Sequence, residues 1–473
     1  MESLVTADLA AQEKANRVIG PVAGASIVAG SMLGIGIFLS PPIVAANVPS
    51  LPGFFLLWLL GGVIALSGAV SCAELGTMMP RSGGDYVFQH RAFGPSLAFA
   101  SGWVLFGPIF CGSIASMAVG MCTYQLPLLL GRDLSGVAFT MPLAGLPVSW
   151  AQVAALGLVP DLTLLNAMGA RPSARTQAAL TLLPIGVLTL ISGYAITHGG
   201  GGAAAASAAP TITGPITLHG VVVAYLAVYF AYSGWINIIY VAGEVEQPRR
   251  GLPRAMLGGT LVVTCLYLLL CSGFVRTLGF AGLAGAGEAG SASAQVLAGD
   301  LGKLLITILI SSALVASING TIMAGPRVAY AMGKRGAAWR WLGVLHPRTR
   351  VPVRALWVQA VVSGVLIVSG KFEQLLAMVS LTMVVTGSIT VAALYVLRRT
   401  APDAPRPYKA TGYPAFPLVY LVSSVIVIVD MARSAGSGAW ADVYPLIGLV
   451  GTAALFVAHR VYLRVAAKTA PLN

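Results

Sequence analysis

The stretch Gly30-Ser-Met-Leu-Gly-Ile-Gly-Ile-Phe38 sets three glycines within seven residues of an otherwise apolar run. Each glycine lowers helix propensity by roughly 1 kcal/mol relative to alanine, so the spacing predicts a helix broken between Gly30 and Phe38. Unwound backbone persists in lipid only where it lines a cavity or packs on protein. A break leaves free N–H groups at one new helix end and free carbonyls at the other. The first end suits a carboxylate and the second a cation. Close helix–helix packing on a glycine face is the competing account of the same residues. A second weak point, Phe230-Ala-Tyr-Ser-Gly-Trp-Ile236, carries small residues between aromatics and falls five spans later. Interruptions at matching places in two halves of a chain point to a binding site at the membrane midplane. A zwitterion would satisfy both kinds of helix end.

Other chemistries lack their residues. No HExxH pair and no GxSxG turn with a plausible base is present, so no catalytic residue is expected and the chain does not read as an enzyme. Cys72, Cys111, Cys122, Cys265 and Cys271 all lie in apolar runs at no metal-ligand spacing. They read as reduced, buried side chains, with neither a metal site nor a cofactor implied. His90, His198, His219, His346 and His459 fall at span ends or in loops. Pore-lining polar rings or selectivity loops of a channel are not apparent.

The elements that must position these breaks follow from composition. Of 473 residues, 57% are hydrophobic and only 9% are charged, against the roughly 25% charged residues of a soluble domain. Apolar runs near the roughly 20-residue length of a lipid-crossing helix recur along the chain. The reading is an all-α integral membrane protein of about 12 transmembrane helices, near 20–46, 53–79, 95–127, 145–168, 177–197, 217–243, 254–278, 300–332, 353–370, 372–397, 415–433 and 443–463. The first span follows a polar segment without a cleavage site and is expected to be retained. On this reading most Lys and Arg residues gather in the loops that share a side with the N-terminus, among them Arg249, Arg250, Lys334, Arg335, Arg398 and Arg399. That asymmetry predicts cytoplasmic termini and a cell (plasma or inner) membrane. The net charge of +13 then reflects topology, and no nucleic-acid partner is implied. Glu74, Glu244 and Arg327, near span ends, are expected to reach the interface by snorkelling. Gly199 to Pro210 reads as a flexible external connector, and a short external helix is expected to begin near Ser291.

Several motifs together resemble the amino acid–polyamine–organocation superfamily, nearest to its L-type amino-acid transporter and bacterial permease branch. They are GSMLGIGIF in the first span, AEL at 73–75 with PRSGGDY at 80–86, FAYSGW at 230–235 with EVEQPRRGLPRA at 244–255, SINGTIMAGPRVAYAMGKRG at 317–336, and RRTAPDAPRPYKATGYPAFP at 398–417. The resemblance implies discontinuous first and sixth helices in a five-plus-five inverted repeat with two additional helices. The expected division is a cytoplasmic tail 1–19, a first repeat 20–197, an external connector 198–216 and a second repeat 217–397. A cytoplasmic loop 398–414, two further spans 415–463 and a cytoplasmic tail 464–473 complete it. By motif, the substrate carboxylate is expected at Ser31, Gly34, Ile35 and Gly36. The α-ammonium is expected at carbonyls of Met32, Phe230, Ala231 and Ser233, with Phe230 as an aromatic lid. Ser113, Ser116, Asn319 and Ser380 are candidates for the side-chain pocket by approximate position, although helix–helix hydrogen bonding also accounts for them.

Three departures from that family bear on energy coupling and substrate. Pro184 stands where many members carry a lysine whose ammonium replaces a sodium ion. Ala313 falls at the usual serine of the eighth span. Ile236 follows Trp235 where L-type members often have asparagine, and an apolar residue is a poor partner for a cationic side chain. The expectation is a secondary transporter of neutral or small α-amino acids, working by exchange or facilitated uptake. A cationic amino-acid or polyamine antiporter and an amino-acid-binding membrane sensor are the alternatives. Partners are then the amino-acid substrate and membrane lipid. No cysteine sits in an external loop to hold a disulfide-linked subunit, so no ancillary subunit is expected. Gly34→Leu is predicted to abolish substrate binding while leaving folding largely intact, and normal uptake by that variant would remove Gly34 from the site.

Overall fold

In the computed structural model the described residues are 17–34, 36–141, 147–198, 216–369, 372–434, 450–451 and 453–461. They fold as α1 (Pro21–Met32), α2 (Gly36–Asn47), α3 (Leu51–Met78), α4 (Asp85–Phe93) and α5 (Pro95–Leu130). The hairpin β1 (Val137–Thr140) and β2 (Pro147–Ser149) comes next, then α6 (Trp150–Ala167), α7 (Ala170–His198), α8 (Leu218–Tyr232) and α9 (Asn237–Tyr240). The remainder is α10 (Pro248–Ala284), α11 (Ala289–Lys334), α12 (Val353–Ser369), α13 (Phe372–Thr400) and α14 (Ala415–Ser434). Eight helical stretches among the described residues are long and apolar enough to cross a membrane, with α8 and α12 as shorter apolar helices.

Local sequence explains the helix starts. Ser50 accepts the Gly53 N–H at 3.4 Å to cap α3, and Ser149 and Gln152 form a reciprocal capping box on α6. The expected span 145–168 therefore begins at Trp150, because the β-hairpin occupies the chain before it. Glu288 caps α11 through the N–H groups of Gly290 and Ser291, at 2.6 and 3.0 Å. Non-helical backbone at Ala298 and Gly299 separates the first turns of α11 from its long span. Those turns are the short helix expected near Ser291, starting two residues earlier. The Gly199–Pro210 connector, both terminal tails and much of the expected span 443–463 lie outside the described residues.

The first span is broken as expected, with α1 ending at Met32 and α2 beginning at Gly36. α10 packs along α3 and along both halves of the broken helix, while α7 packs on α1, α10 and α11. α5 carries two π-helical stretches, at Leu105–Cys111 around Pro108 and at Met121–Gln125. Proline removes a helix donor and clashes with the preceding turn, and such π segments recur at functional sites.

The snorkelling expectation for the charged span residues gives way to buried pairing. Glu74 is fully buried and is bound by Arg398 Nε and Nη2 at 3.0 and 2.5 Å, by Arg406 Nε at 3.1 Å and by the Ala410 N–H at 2.6 Å. One carboxylate thus ties the end of α3 to the end of α13 and the loop after it. Arg327 is equally buried, and its guanidinium holds Glu244 at 2.9 Å and the Met323 carbonyl. Bidentate guanidinium–carboxylate geometry makes burial of such charges tolerable, and removing one partner leaves the other uncompensated. Arg327→Met is expected to destabilise the protein by about 3–5 kcal/mol. Adding Glu244→Gln is expected to recover most of that loss, as read from thermal unfolding in detergent.

Candidate functional site

The two breaks touch each other. A Cβ on Gly36, the first residue of α2, would lie 2.6 Å from Ala231 Cα on α8. Gly234, in the second break, has φ of +109° and would bring a Cβ within 2.5 Å of the Ser31 carbonyl oxygen. Only glycine permits both the backbone conformation and the approach. The second interruption lies between Tyr232 and Asn237, where Ser233 leaves the helix in extended geometry. Both helices therefore unwind at one level, and the crossing supplies two carbonyl ends, α1 and α8, opposite the N–H ends of α2 and α9.

Tyr267 of α10 fastens this crossing. Its hydroxyl lies 2.5 Å from the Met32 carbonyl and 2.9 Å from the Ala231 carbonyl, one from each break. The ring packs on Tyr232 and edge-on against Trp58, with centroid separations of 5.0 and 5.8 Å. Tyr232 in turn donates to the Trp58 carbonyl at 3.1 Å. From the opposite side, Ser317 Oγ of α11 donates to the Ser31 carbonyl at 3.1 Å. Carbonyls freed by unwinding are thereby hydrogen-bonded by side chains, as buried backbone requires.

A cavity of about 30 Å³ lies at the crossing. Its wall contains Ser31, Met32, Gly34 and Gly36 from the first break, and Phe230, Ser233, Gly234 and Asn237 from the second. Phe110, Ser113 and Met117 of α5, Ser317 and Thr321 of α11, and Met383 of α13 complete it. No charged side chain is among these residues. Of the sequence-derived candidates, seven meet at this wall: Ser31, Met32, Gly34, Gly36, Phe230, Ser233 and Ser113. Ile35 lies outside the described residues. Ala231 is not in the wall, being turned to Gly36 and Tyr267.

The remaining three candidates make helix–helix or intrahelical bonds. Ser116 Oγ donates to the Ser113 carbonyl at 3.1 Å and Ser380 Oγ to the Leu376 carbonyl at 2.7 Å. Asn319 joins a buried chain of amides behind the cavity, giving a hydrogen bond to Gln177 Oε1 and accepting one from Asn166 Nδ2, both at 2.8 Å. The α7 groups pressed on the first break are Gln177 and Thr181. A Cβ on Gly30 would meet Thr181 Oγ1 at 2.1 Å and Gln177 Nε2 at 2.3 Å. Pro184 lies on the same buried face, one turn farther along α7. A neutral amide and a hydroxyl, not an ammonium, thus abut the broken helix.

Asn237 is among the wall residues that sequence reasoning missed. The φ-positive Gly234 turns Asn237 toward the cavity, while Ile236 is absent from its wall. Ser317, and not position 313, brings a serine of α11 to the first break. Nothing in the local sequence around Tyr267, Phe110 or Met383 announces their parts, since each comes from a distant helix.

Beneath the cavity, on the side of the N-terminus, three contacts close the chain. The N–H groups of Val18 and Ile19 donate to the Glu244 carbonyl at 2.9 Å, and the Glu246 N–H donates to Ile19 O at 2.9 Å. Tyr240 of α9 packs edge-on against Phe110 at 4.8 Å. Its hydroxyl donates to Asp85 Oδ2 at 2.8 Å. Burial pushes the Asp85 carboxyl up to about 7, with the Tyr240 hydrogen bond opposing that rise.

Two expected outcomes test this geometry. Tyr267→Phe leaves the Met32 and Ala231 carbonyls without that donor, so a loss of about 1–3 kcal/mol is expected in thermal unfolding. For Asp85, the folded protein holds its proton at a pH where the unfolded chain has released it. Stability attributable to this group is therefore greatest below pH 4 and falls as pH rises toward about 7. Asp85→Asn is expected to flatten that part of the melting-temperature profile, and an unchanged slope would contradict the assignment.

Comparison with known proteins adds ancestry to the geometry. The chain is 27% identical over 420 residues to the serine/threonine exchanger SteT of Bacillus subtilis (strain 168), covering 87% of this chain and 90% of the relative. It is 28% identical over 410 residues to the cystine/glutamate transporter of Homo sapiens, covering 84% and 77%. It is 26% identical over 415 residues to large neutral amino acids transporter small subunit 2 of Homo sapiens, covering 87% and 75%. A family profile described as amino acid permease matches residues 19–453. This chain belongs to the amino acid permease family.

Proposed function

We propose that this protein is a secondary transporter that exchanges neutral α-amino acids across a cell membrane by alternating access. The observation that carries the reading is the meeting of two interrupted helices at an uncharged, buried cavity. The substrate carboxylate faces the N–H groups that open α2, and the ammonium faces carbonyls at the ends of α1 and α8. Ser31, Gly34 and Gly36 belong to the first set, and Met32, Phe230 and Ser233 to the second. Names of the relatives, exchangers and transporters of amino acids, support the same reading.

An uncharged wall disfavours a cationic or acidic side chain, which would lose hydration without gaining an ion pair. The cationic antiporter therefore ranks below the neutral exchanger. We assign the described helices to a five-plus-five inverted repeat followed by α14, with both termini cytoplasmic. Lys and Arg placement supports that orientation. One relative's name designates it a small subunit. The lack of an external-loop cysteine in this chain favours function without a disulfide-linked partner.

Gln177 and Thr181 beside the first broken helix supply no fixed charge, and the ion requirement is read from transport itself. Counterflow in liposomes over a panel of amino acids and polyamines tests the proposal directly. Saturable exchange of neutral amino acids is expected, and comparison with and without sodium and pH gradients identifies any coupling ion. Exchange confined to arginine, agmatine or polyamines would overturn the substrate assignment, and binding without flux would make the protein a sensor.

A further inference from the structure

We infer that Ser113 and Asn237 form the side-chain end of the cavity and select small, uncharged amino acids whose side chain carries a hydroxyl or a carboxamide. This inference rests on the exchanger reading above. Most hydroxyls in the wall are already engaged. Ser233 Oγ donates to the Phe230 carbonyl at 2.7 Å, Ser317 Oγ to the Ser31 carbonyl at 3.1 Å and Thr321 Oγ1 to the Ser317 carbonyl at 2.9 Å. Ser31 Oγ has no partner, but it lies against Gly320, where a Cβ would approach it to 2.3 Å, and Gly320 is outside the wall.

Two polar side chains are left over. Ser113 is 5% exposed and its Oγ has no hydrogen-bond partner. Asn237 is 6% exposed, and its side-chain amide makes no hydrogen bond among the described residues. Buried polar groups are almost always satisfied, so the open Ser113 hydroxyl marks where a ligand supplies a partner, and Asn237 shares the wall with it. Both positions are held by irregular backbone. Ser113 follows the π-helical stretch around Pro108, and Asn237 follows the turn at Gly234.

The pair also sets the chemistry. Ser113 Oγ can donate or accept, and the Asn237 amide can do both at once. A hydroxyl or carboxamide on the substrate answers either group, whereas a methyl leaves both unmet. Size limits the choice further, because Phe110, Met117 and Met383 share the wall and the cavity is only about 30 Å³. Small side chains therefore require the least displacement of the wall, and among them serine, threonine and asparagine also answer the open polar groups. Leucine or phenylalanine would have to push the methionines aside and bury the open polar atoms against hydrocarbon. A site built to hydrogen-bond a substrate group rejects the analogue lacking it far more strongly than an apolar pocket rejects an added hydroxyl.

The test is competition in liposomes loaded with radiolabelled serine, using external serine, threonine, asparagine, alanine, leucine, arginine and glutamate. The first three are expected to exchange best, with serine at least about ten-fold ahead of alanine. Ser113→Ala and Asn237→Leu are each expected to lower the serine-to-alanine ratio by about ten-fold, with the change in KM more than in maximal rate. Wild-type preference for leucine or for a charged amino acid would overturn the inference, as would an unchanged ratio in both variants. Exchange of no amino acid at all would instead remove the transporter reading. The wild-type panel decides the matter should either variant fail to fold.

Discussion

The crossing of two unwound backbones depends on a contact that no side chain can occupy. Gly36 meets Ala231 and Gly234 meets Ser31 at distances that exclude a Cβ. If either glycine carried a methyl, the helices would separate by about a bond length and the carbonyls would lose Tyr267. Every feature of the cavity follows from that approach. It sets carbonyl ends beside N–H ends and leaves the wall between them to side chains from α5, α11 and α13.

Unwinding in a membrane is costly unless the freed groups are satisfied, and here satisfaction comes from the surrounding scaffold. Tyr267 holds one carbonyl of each break, Ser317 holds another, and the aromatic cluster of Trp58 and Tyr232 fixes Tyr267 in place. The charged residues do a different job. Glu74 with Arg398 and Arg406, and Glu244 with Arg327, tie helix ends to loops on the side of the N-terminus, away from the cavity wall. Charge pairs thus stand at the helix ends, and the wall at the centre is uncharged.

How much of this was legible in the sequence depended on range. The breaks were visible because glycine clusters in apolar runs act locally, and the motif positions around Ser31 and Phe230 reached the cavity wall. The π-helical bend near Pro108 and the β-hairpin before Trp150 were not visible, because apolar periodicity does not distinguish them from a straight span. Snorkelling failed for Glu74 and Arg327 because their partners lie 324 residues away in one case and 83 in the other. Asn237 escaped for a geometric reason: the left-handed Gly234 rotates the chain after it, so helical spacing from Phe230 no longer predicts which residue faces inward. Asn319 and Ser116 were candidates by approximate position with structural hydrogen bonding as the other account, and they make such bonds.

The central claim is that the crossing of the two breaks is an amino-acid site, and a cryo-electron-microscopy structure with bound serine tests it most directly. The account predicts ligand density between the start of α2 and the ends of α1 and α8, with the carboxylate at the N–H end and the hydroxyl toward Ser113 and Asn237. Ligand density elsewhere, or a zwitterion bound in the reverse sense at the crossing, would contradict it.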